Sequence, residues 1–455
     1  MNLVAMLFLI VATVALLVVP RRWAPVPRLV GACYMTLGQG FEIGGLHFPI
    51  IRLLLLGGLV RVFVRRERPK GLMLSMDWAF VAWAGWAILA SAFHNDPAAT
   101  LQFHLGMVYN GLSIYFLMRC FCKTEEEVRK VVQVTAWLLV PVALEMLYEQ
   151  LSHQNLFSMF GGIPDEPAIR SGRMRAQGPF AHAILAGTVG GVCIPLMIGI
   201  WRYHPFSARV GLAACSAMVI LSTSGGPLMS VISSLFALVV WRWRHWTRQM
   251  RVAAVLGYLV LELVMKAPPY FLIARIPLIG GGSYHRAAII EAALAHFKEW
   301  WFAGTDYTRH WMAYGVPWSP DHADITNHYL GQGVKGGLLL MLLFICLLWI
   351  GFRYVGRILR LWSNKPTKRQ FFVWSLGASL FAHAASCVGV AYFDQSILFL
   401  YLTLALIANM RAEAASEVLA TKTSAKKVSP SSARSPTAAT EVISHPNVDD
   451  EAVSD

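Results

Sequence analysis

Apolar positions in this chain fall in long uninterrupted runs, and each run ends at a short polar or charged punctuation. Thirteen such stretches lie near residues 2–19, 27–43, 46–64, 77–94, 100–121, 130–150, 181–201, 208–223, 227–242, 252–267, 329–351, 371–391 and 394–411. As helices of roughly 16 to 23 residues they are long enough, or nearly so, to cross a hydrocarbon core of about 30 Å. The expected fold class is therefore all-α: a polytopic transmembrane helical bundle of about 12–13 spans. Two connections are too long to be simple turns, about 151–179 and about 268–327. The second carries its own periodicity, with Ile290, Leu294, Phe297 and Trp301 at four- and three-residue spacings and Ala293 and Trp300 beside them. That pattern predicts an amphipathic helix lying along the membrane interface, where an indole buries its body and keeps its N–H wet.

Composition agrees with a lipid solvent. At 56% hydrophobic and 14% charged, 455 residues hold too little polar surface to cover a soluble core. No basic residue precedes the first stretch, and Pro20, Arg21 and Arg22 follow it, which predicts a retained helix with its N-terminus outside. Every basic cluster of a short connection then falls on the cytoplasmic side: Arg65, Arg66, Arg68 and Lys70; Lys123, Arg129 and Lys130; Arg202 and Arg209; Arg242, Arg244, Arg248 and Arg251; and Arg353 through Arg369. The net charge of +14 needs no nucleic acid to explain it. The seven cysteines sit within or beside apolar runs and show neither a disulfide framework nor a zinc spacing. From 412 to 455 the chain turns to Ala, Ser, Thr, Pro, Lys and Glu, so a disordered cytoplasmic tail is expected after a membrane domain spanning 1–411.

Against this charge pattern three arginines stand out. Arg170, Arg173 and Arg175 lie in the first long connection, on the side where such charge is depleted. Either they bind an anion, for which the planar guanidinium fork is suited, or they pair with Asp165 and Glu166. Arg275, Arg286 and Arg309 belong to the second connection. Its Gly280–Gly282 run lacks the Lys and Ser/Thr of a phosphate-binding P-loop. The same connection ends in Asp321, His322, Asp324, Thr326, Asn327 and His328 at the mouth of an apolar run. Such residues serve as helix N-caps or as general bases, and residue type alone leaves both open. Glu42, Glu145, Glu262 and His383 fall within predicted spans and raise a transport path as the reading from another class. They are scattered, and no internal repeat accompanies them. A scaffold of an export machine is a third reading, one that leaves the outer arginines without a task.

Three segments resemble the O-antigen ligase and polymerase superfamily of bacterial membrane glycosyltransferases. They are RMRAQGPFAHAILAG at 173–187, LSTSGGPLMS at 221–230, and the run from HRAAIIEAALAHFKEWWFAGTD to TNHYLGQGVKGGLL. With the span count, the likeness covers most of 1–411. Two departures stand beside it: Ser224, Gly225 and Gly226 replace the family's Ser-Arg-Gly turn, and Thr326 stands where its His precedes Asn327, with His328 at the variable position before Tyr329. The resemblance implies a protein of the bacterial inner membrane, N-terminus periplasmic and C-terminus cytoplasmic, acting on an undecaprenyl diphosphate-linked glycan without metal or cofactor. His328, Asp324 and Arg286 would be catalytic. Arg170, Arg173, Arg175, Arg275, Asn327, Tyr329 and Trp301 would bind substrate, and Trp300, Trp311 and Trp318 could stack on sugars. Chain-length regulators and export proteins are the further partners implied. The departures favour a polymerase of lipid-linked repeat units over a ligase that transfers glycan to lipid A core or protein.

Overall fold

The computed structural model describes residues 1–43, 46–71, 73–170, 172–275, 283–313, 315–316 and 319–428. Helices dominate. Chain order runs α1 (Leu3–Val18), α2 (Pro25–Tyr34), β1 (Gly40–Ile43), β2 (Leu46–Pro49), α3 (Ile50–Val64), α4 (Ser75–Ala90), α5 (Pro97–Phe121) and α6 (Glu125–Ser152). It continues with β3 (Ile169–Arg170), β4 (Arg173–Met174), α7 (Ala183–Ile200), α8 (Pro205–Leu221), α9 (Gly225–Val239), α10 (Thr247–Val264) and α11 (Leu272–Arg275). The last elements are α12 (Ser283–Ala295), α13 (Phe297–Trp300), β5 (Gly315–Val316), β6 (Ser319–Ala323), α14 (His328–Leu361), α15 (Thr367–Ser386) and α16 (Ile397–Val428). The strands form three separate antiparallel hairpins.

Among the described residues six helical segments are long and apolar enough to cross a membrane: Ser75–Phe93, Glu125–Ser152, Ala183–Ile200, Gly225–Val264, His328–Leu361 and Ile397–Ala420. Large apolar side chains stand exposed along α1 (Leu7, Ile10, Val11, Val14) and α10 (Val255, Leu256, Leu259, Leu263), a surface stable only in an apolar solvent. The chain is a multi-pass helical membrane protein. Two expected spans are cut short. Where one run was expected over 27–43, α2 stops at Tyr34, and β1 pairs with β2 so that Glu42 lies opposite His47 in a hairpin instead of inside a span. At about 15 Å, α2 reaches only half a hydrocarbon core.

α7 is the central helix. All its residues but Ile184 and Ile198 are buried, packed against α8, α9 and α15. Its small residues permit close approach, as hydrophobic force between helices is weak in lipid and packing must supply the attachment. α4 and α5 are clamped by a buried pair: Arg119 Nη2 lies 3.1 Å from Asp77 Oδ2, and Tyr115 donates to Asp77 Oδ1 at 2.6 Å. Tertiary contacts of the connections sort to two ends. At one end Arg21 pairs with Glu127, and Glu125 gathers Arg129, Tyr203 and Arg369. At the other, Gln39 reaches Phe160 O, His94 pairs with Asp306, and Gln395 reaches Pro179 O.

α14 is broken at Gly336–Gly337. Gly337 has φ +76°, and a side chain there would stand 2.1 Å from Phe302 O. At the break Trp86 Nε1 donates to Gly336 O and Leu338 N donates to Trp301 O, so these freed backbone groups find partners. Compact packing extends over Met1–Ser416. Disorder expected from 412 does not begin there, because α16 runs on through Val428, carried by the helix-forming sequence RAEAASEVLA. Residues 429–455 of that expected tail lie outside the described residues.

Candidate functional site: a cationic cluster between two connections

The β3–β4 hairpin places Arg170 opposite Arg173, both exposed, and leads directly to Arg175. Arg175 is buried and donates from Nη2 and Nε to Ser224 Oγ at 2.6 and 3.2 Å. Thr223 beside it donates to Met174 O, so the α8–α9 turn is fastened to the strand that carries the arginine. From the other connection, α12 supplies Arg286, whose Nε donates to Gly389 O at 3.2 Å. A side chain at 389 would meet that nitrogen at 2.7 Å, so this close approach requires glycine.

Arg170 is the charge that Arg175 and Arg286 share as a neighbour. Burial, followed by the charge of Arg170, lowers the proton affinity of both Arg175 and Arg286. His182 is lowered to about 4 by burial, then by Arg175 and Arg170. Among the described residues no carboxylate is ion-paired with Arg170, Arg173, Arg175 or Arg286. Asp165 instead accepts from Ser158, so the alternative pairing with Arg170 or Arg173 is not made there. Like charges held near one another favour an anionic neighbour.

The α15–α16 connection, residues 387–396, forms the floor. Besides meeting Arg286, it receives His328 N at Cys387 O (2.8 Å) and donates from Tyr392 N to His328 Nδ1 (3.2 Å). Asp394 accepts from Ala181 N, and Gln395 donates to Pro179 O. Burial raises the Asp394 carboxyl against the opposing pull of hydrogen bonds from Ser396 and Ala181. Sequence reading took this stretch for parts of two spans. The signal that marked it was Phe-Asp-Gln-Ser at 393–396, polar residues within an apolar run.

The remaining sequence candidates scatter. His328 is buried, its ring held edge-on by Phe344 and Tyr392 and its Nε2 3.4 Å from Gln332 Nε2. Neither ring nitrogen faces a free space. Asn327 is the N-cap of α14, accepting from Tyr329 N and Leu330 N, while Tyr329 donates to Ala384 O. Thr326, the other capping candidate, makes no side-chain hydrogen bond. Asp324 is exposed, and its Oδ2 lies 3.9 Å from His285 Nε2, which also meets Asp324 O at 2.8 Å. The sequence signal for His285 is its place directly before Arg286. Arg275 ends α11, but its side chain, the Gly280–Gly282 run and Trp318 lie outside the described part.

The run expected to form one amphipathic helix is helical in two pieces, α12 and α13. It buries Ala287, Ile289, Ala293 and Trp300, the last two against Trp311 and Val334, and leaves Leu294, Phe297 and Trp301 exposed. A bend at His296 separates α12 from α13. Of the groups raised for a transport path, Glu145 has a structural partner, as does Glu149 one turn further along α6. Glu145 accepts from Leu156 N, and Glu149 from Gln177 N and Gly178 N, so both pin the first long connection to α6. Glu262 lies on α10, which buries no residue. Compared with known proteins, the chain matches no family model and no curated protein.

Proposed function

We propose that this chain is a membrane glycosyltransferase that polymerises lipid-linked oligosaccharide repeat units at the periplasmic face of a bacterial inner membrane. The observation that carries the reading is the convergence of Arg170, Arg175 and Arg286 from two separate connections, without an acidic partner among the described residues. A polyprenyl diphosphate supplies the missing counterion: its lipid lies in the bilayer and its two phosphates lie at the interface. Exposed Leu294, Phe297 and Trp301 fit the same interface, with α12 and α13 docked on α14 and their outer stripe in lipid.

In the reaction the acceptor hydroxyl oxygen bonds to the anomeric carbon. The bond from that carbon to the diphosphate oxygen breaks, and its electron pair leaves with the diphosphate. Fixed guanidiniums facing that oxygen lower the barrier, on the order of 2.7–4 kcal/mol for one well-placed donor. The acceptor proton goes to Asp324 or to His285, which meets Asp324 and directly precedes Arg286 on α12. His328, with both ring nitrogens facing protein groups, positions the floor of the site instead.

The test is the profile of lipid-linked and surface glycans in a strain lacking the chain, complemented with native protein, Arg175→Ala or Arg286→Ala. Single repeat units on lipid, with long glycans restored only by the native chain, support a polymerase. Long lipid-linked glycans that fail to transfer make it a ligase. Normal glycans in both arginine variants sink the diphosphate reading.

A further inference from the structure

Away from the cationic cluster, the corner between α12 and α13 assembles a second group of chemically active side chains. His296 occupies the bend, Glu299 follows one turn later, and the short 3₁₀ turn Arg309–Trp311 brings His310 alongside. One oxygen or nitrogen from each of the three lies within 4.8 Å of the others. His296 Nδ1 is 2.6 Å from Glu299 Oε1, and His310 Nε2 is 3.0 Å from Glu299 Oε2. We propose that His296, Glu299 and His310 bind a divalent first-row transition metal ion, with Zn²⁺ the expected occupant.

Ligand type selects the ion. Two imidazoles and one carboxylate suit Zn²⁺, Ni²⁺, Co²⁺ or Cu²⁺, whereas Mg²⁺ and Ca²⁺ require sets dominated by oxygen. An ion about 2.0–2.2 Å from each donor spreads them to roughly 3.4 Å apart in a tetrahedron, so the hydrogen bonds between them open by less than an ångström. The fourth position faces water, since all three side chains are partly exposed.

The surroundings hold these donors in place. His296 stacks on Trp311 at 5.7 Å and 8°, and His310 stacks on Tyr307 at 5.1 Å and 10°. Trp311 Nε1 donates to Glu299 Oε2 at 2.9 Å, an outer hydrogen bond of the kind that orients a ligating carboxylate. Arg309, next to His310 in the 3₁₀ turn, is tied elsewhere by bonds to Met312 O and Ala313 O. Trp300 and Trp311 are both buried, so the packing that unites the three donors does not depend on the ion. Without metal, imidazole protons fill the same space. Metal and proton therefore compete, and affinity falls as the solution becomes more acid.

The experiment uses the full chain, purified in detergent and stripped with a chelator. Zn²⁺ is titrated in competition with a fluorescent chelator, and bound metal is counted by elemental analysis. The expected result is one Zn²⁺ per chain, undisturbed by a large excess of Mg²⁺, with Co²⁺ giving the visible absorption of a four-coordinate site. His310→Ala and Glu299→Ala each weaken binding at least tenfold, and Trp311→Phe weakens it by about 10-fold through the carboxylate it orients. His322→Ala, a substitution elsewhere in the same connection, leaves binding unchanged. Absence of stoichiometric Zn²⁺ in the native chain overturns the proposal, as does equal binding by His310→Ala and Glu299→Ala. Thermal unfolding of each variant shows that it is folded when assayed.

Discussion

Arg175 and Ser224 are joined by two hydrogen bonds, so the guanidinium is oriented before any ligand arrives. Lysine keeps the charge and loses the fork. Arg175→Lys is expected to weaken binding of a short-chain polyprenyl diphosphate by about 10-fold or more, the scale of a hydrogen bond to a charged group at about 1.5–3 kcal/mol. Ser224→Ala releases the side chain without removing it and should cost only a few-fold. Calorimetric titration in detergent measures both. Equal affinities for native and Arg175→Lys protein would show that the fork is not used.

His182 makes this binding depend on pH. Its Nδ1 accepts from Ile184 N at 3.1 Å, capping α7, which requires an unprotonated nitrogen. Its proton affinity is lowered from 6.5 to about 4, by burial first and then by Arg175 and Arg170. The unfolded chain takes up the proton first, so as pH falls from 6.5 towards 4 the folded protein loses stability through this group. A bound dianion offsets the arginine charges and raises the histidine again. Binding then draws in a proton, and affinity through this group increases as pH falls through the same window. The ratio of native to His182→Gln affinities, measured at each pH, removes the ligand's own titration. That ratio should rise on acidification, and a flat ratio would remove His182 from the anion site.

Asp77 and Arg119 give a stability prediction independent of function. Both are buried, and Asp77 also accepts from Leu74 N at the start of α4. Asp77→Leu strands the guanidinium and should cost about 3–5 kcal/mol, while the double substitution Asp77→Leu, Arg119→Met recovers most of it. Thermal unfolding in detergent reads both. A single substitution as stable as the native protein would mean that water or lipid reaches Arg119.

What could be read in the sequence was set by chemistry that acts locally. Apolar runs report their solvent, and so the helical, membrane-spanning class was legible from residue 2 onward. Arg170 and Arg175 were legible because positive charge is normally depleted from one side of a membrane. Partnership across the chain was not. Nothing near Gly389 announces that Arg286, far earlier in sequence, lies against it, nor that Glu149 is spent on the backbone of Gln177 and Gly178. Hairpin β1–β2 was hidden for a different reason: its apolar residues match a span in hydropathy, and only the glycines around it signal a turn.

Asp324 and His328 divide the two accounts of the acceptor proton. Tyr392 N reaches His328 Nδ1 at 3.2 Å, and removing that acceptor leaves a buried amide unsatisfied. His328→Ala should therefore cost about 1–3 kcal/mol of stability and lower activity through the amount of folded protein. The turnover of the surviving fraction should keep the native pH dependence. Asp324 is exposed and caps nothing, so Asp324→Asn should leave thermal unfolding unchanged and lower turnover, with His285→Gln showing how far the neighbour shares the task. Turnover of a synthetic lipid-linked repeat unit, normalised to folded protein across pH 5 to 9, separates the outcomes. A His328→Ala protein that is fully stable but inactive would place the base at His328 after all, and would require the α15–α16 connection to move aside when substrate binds.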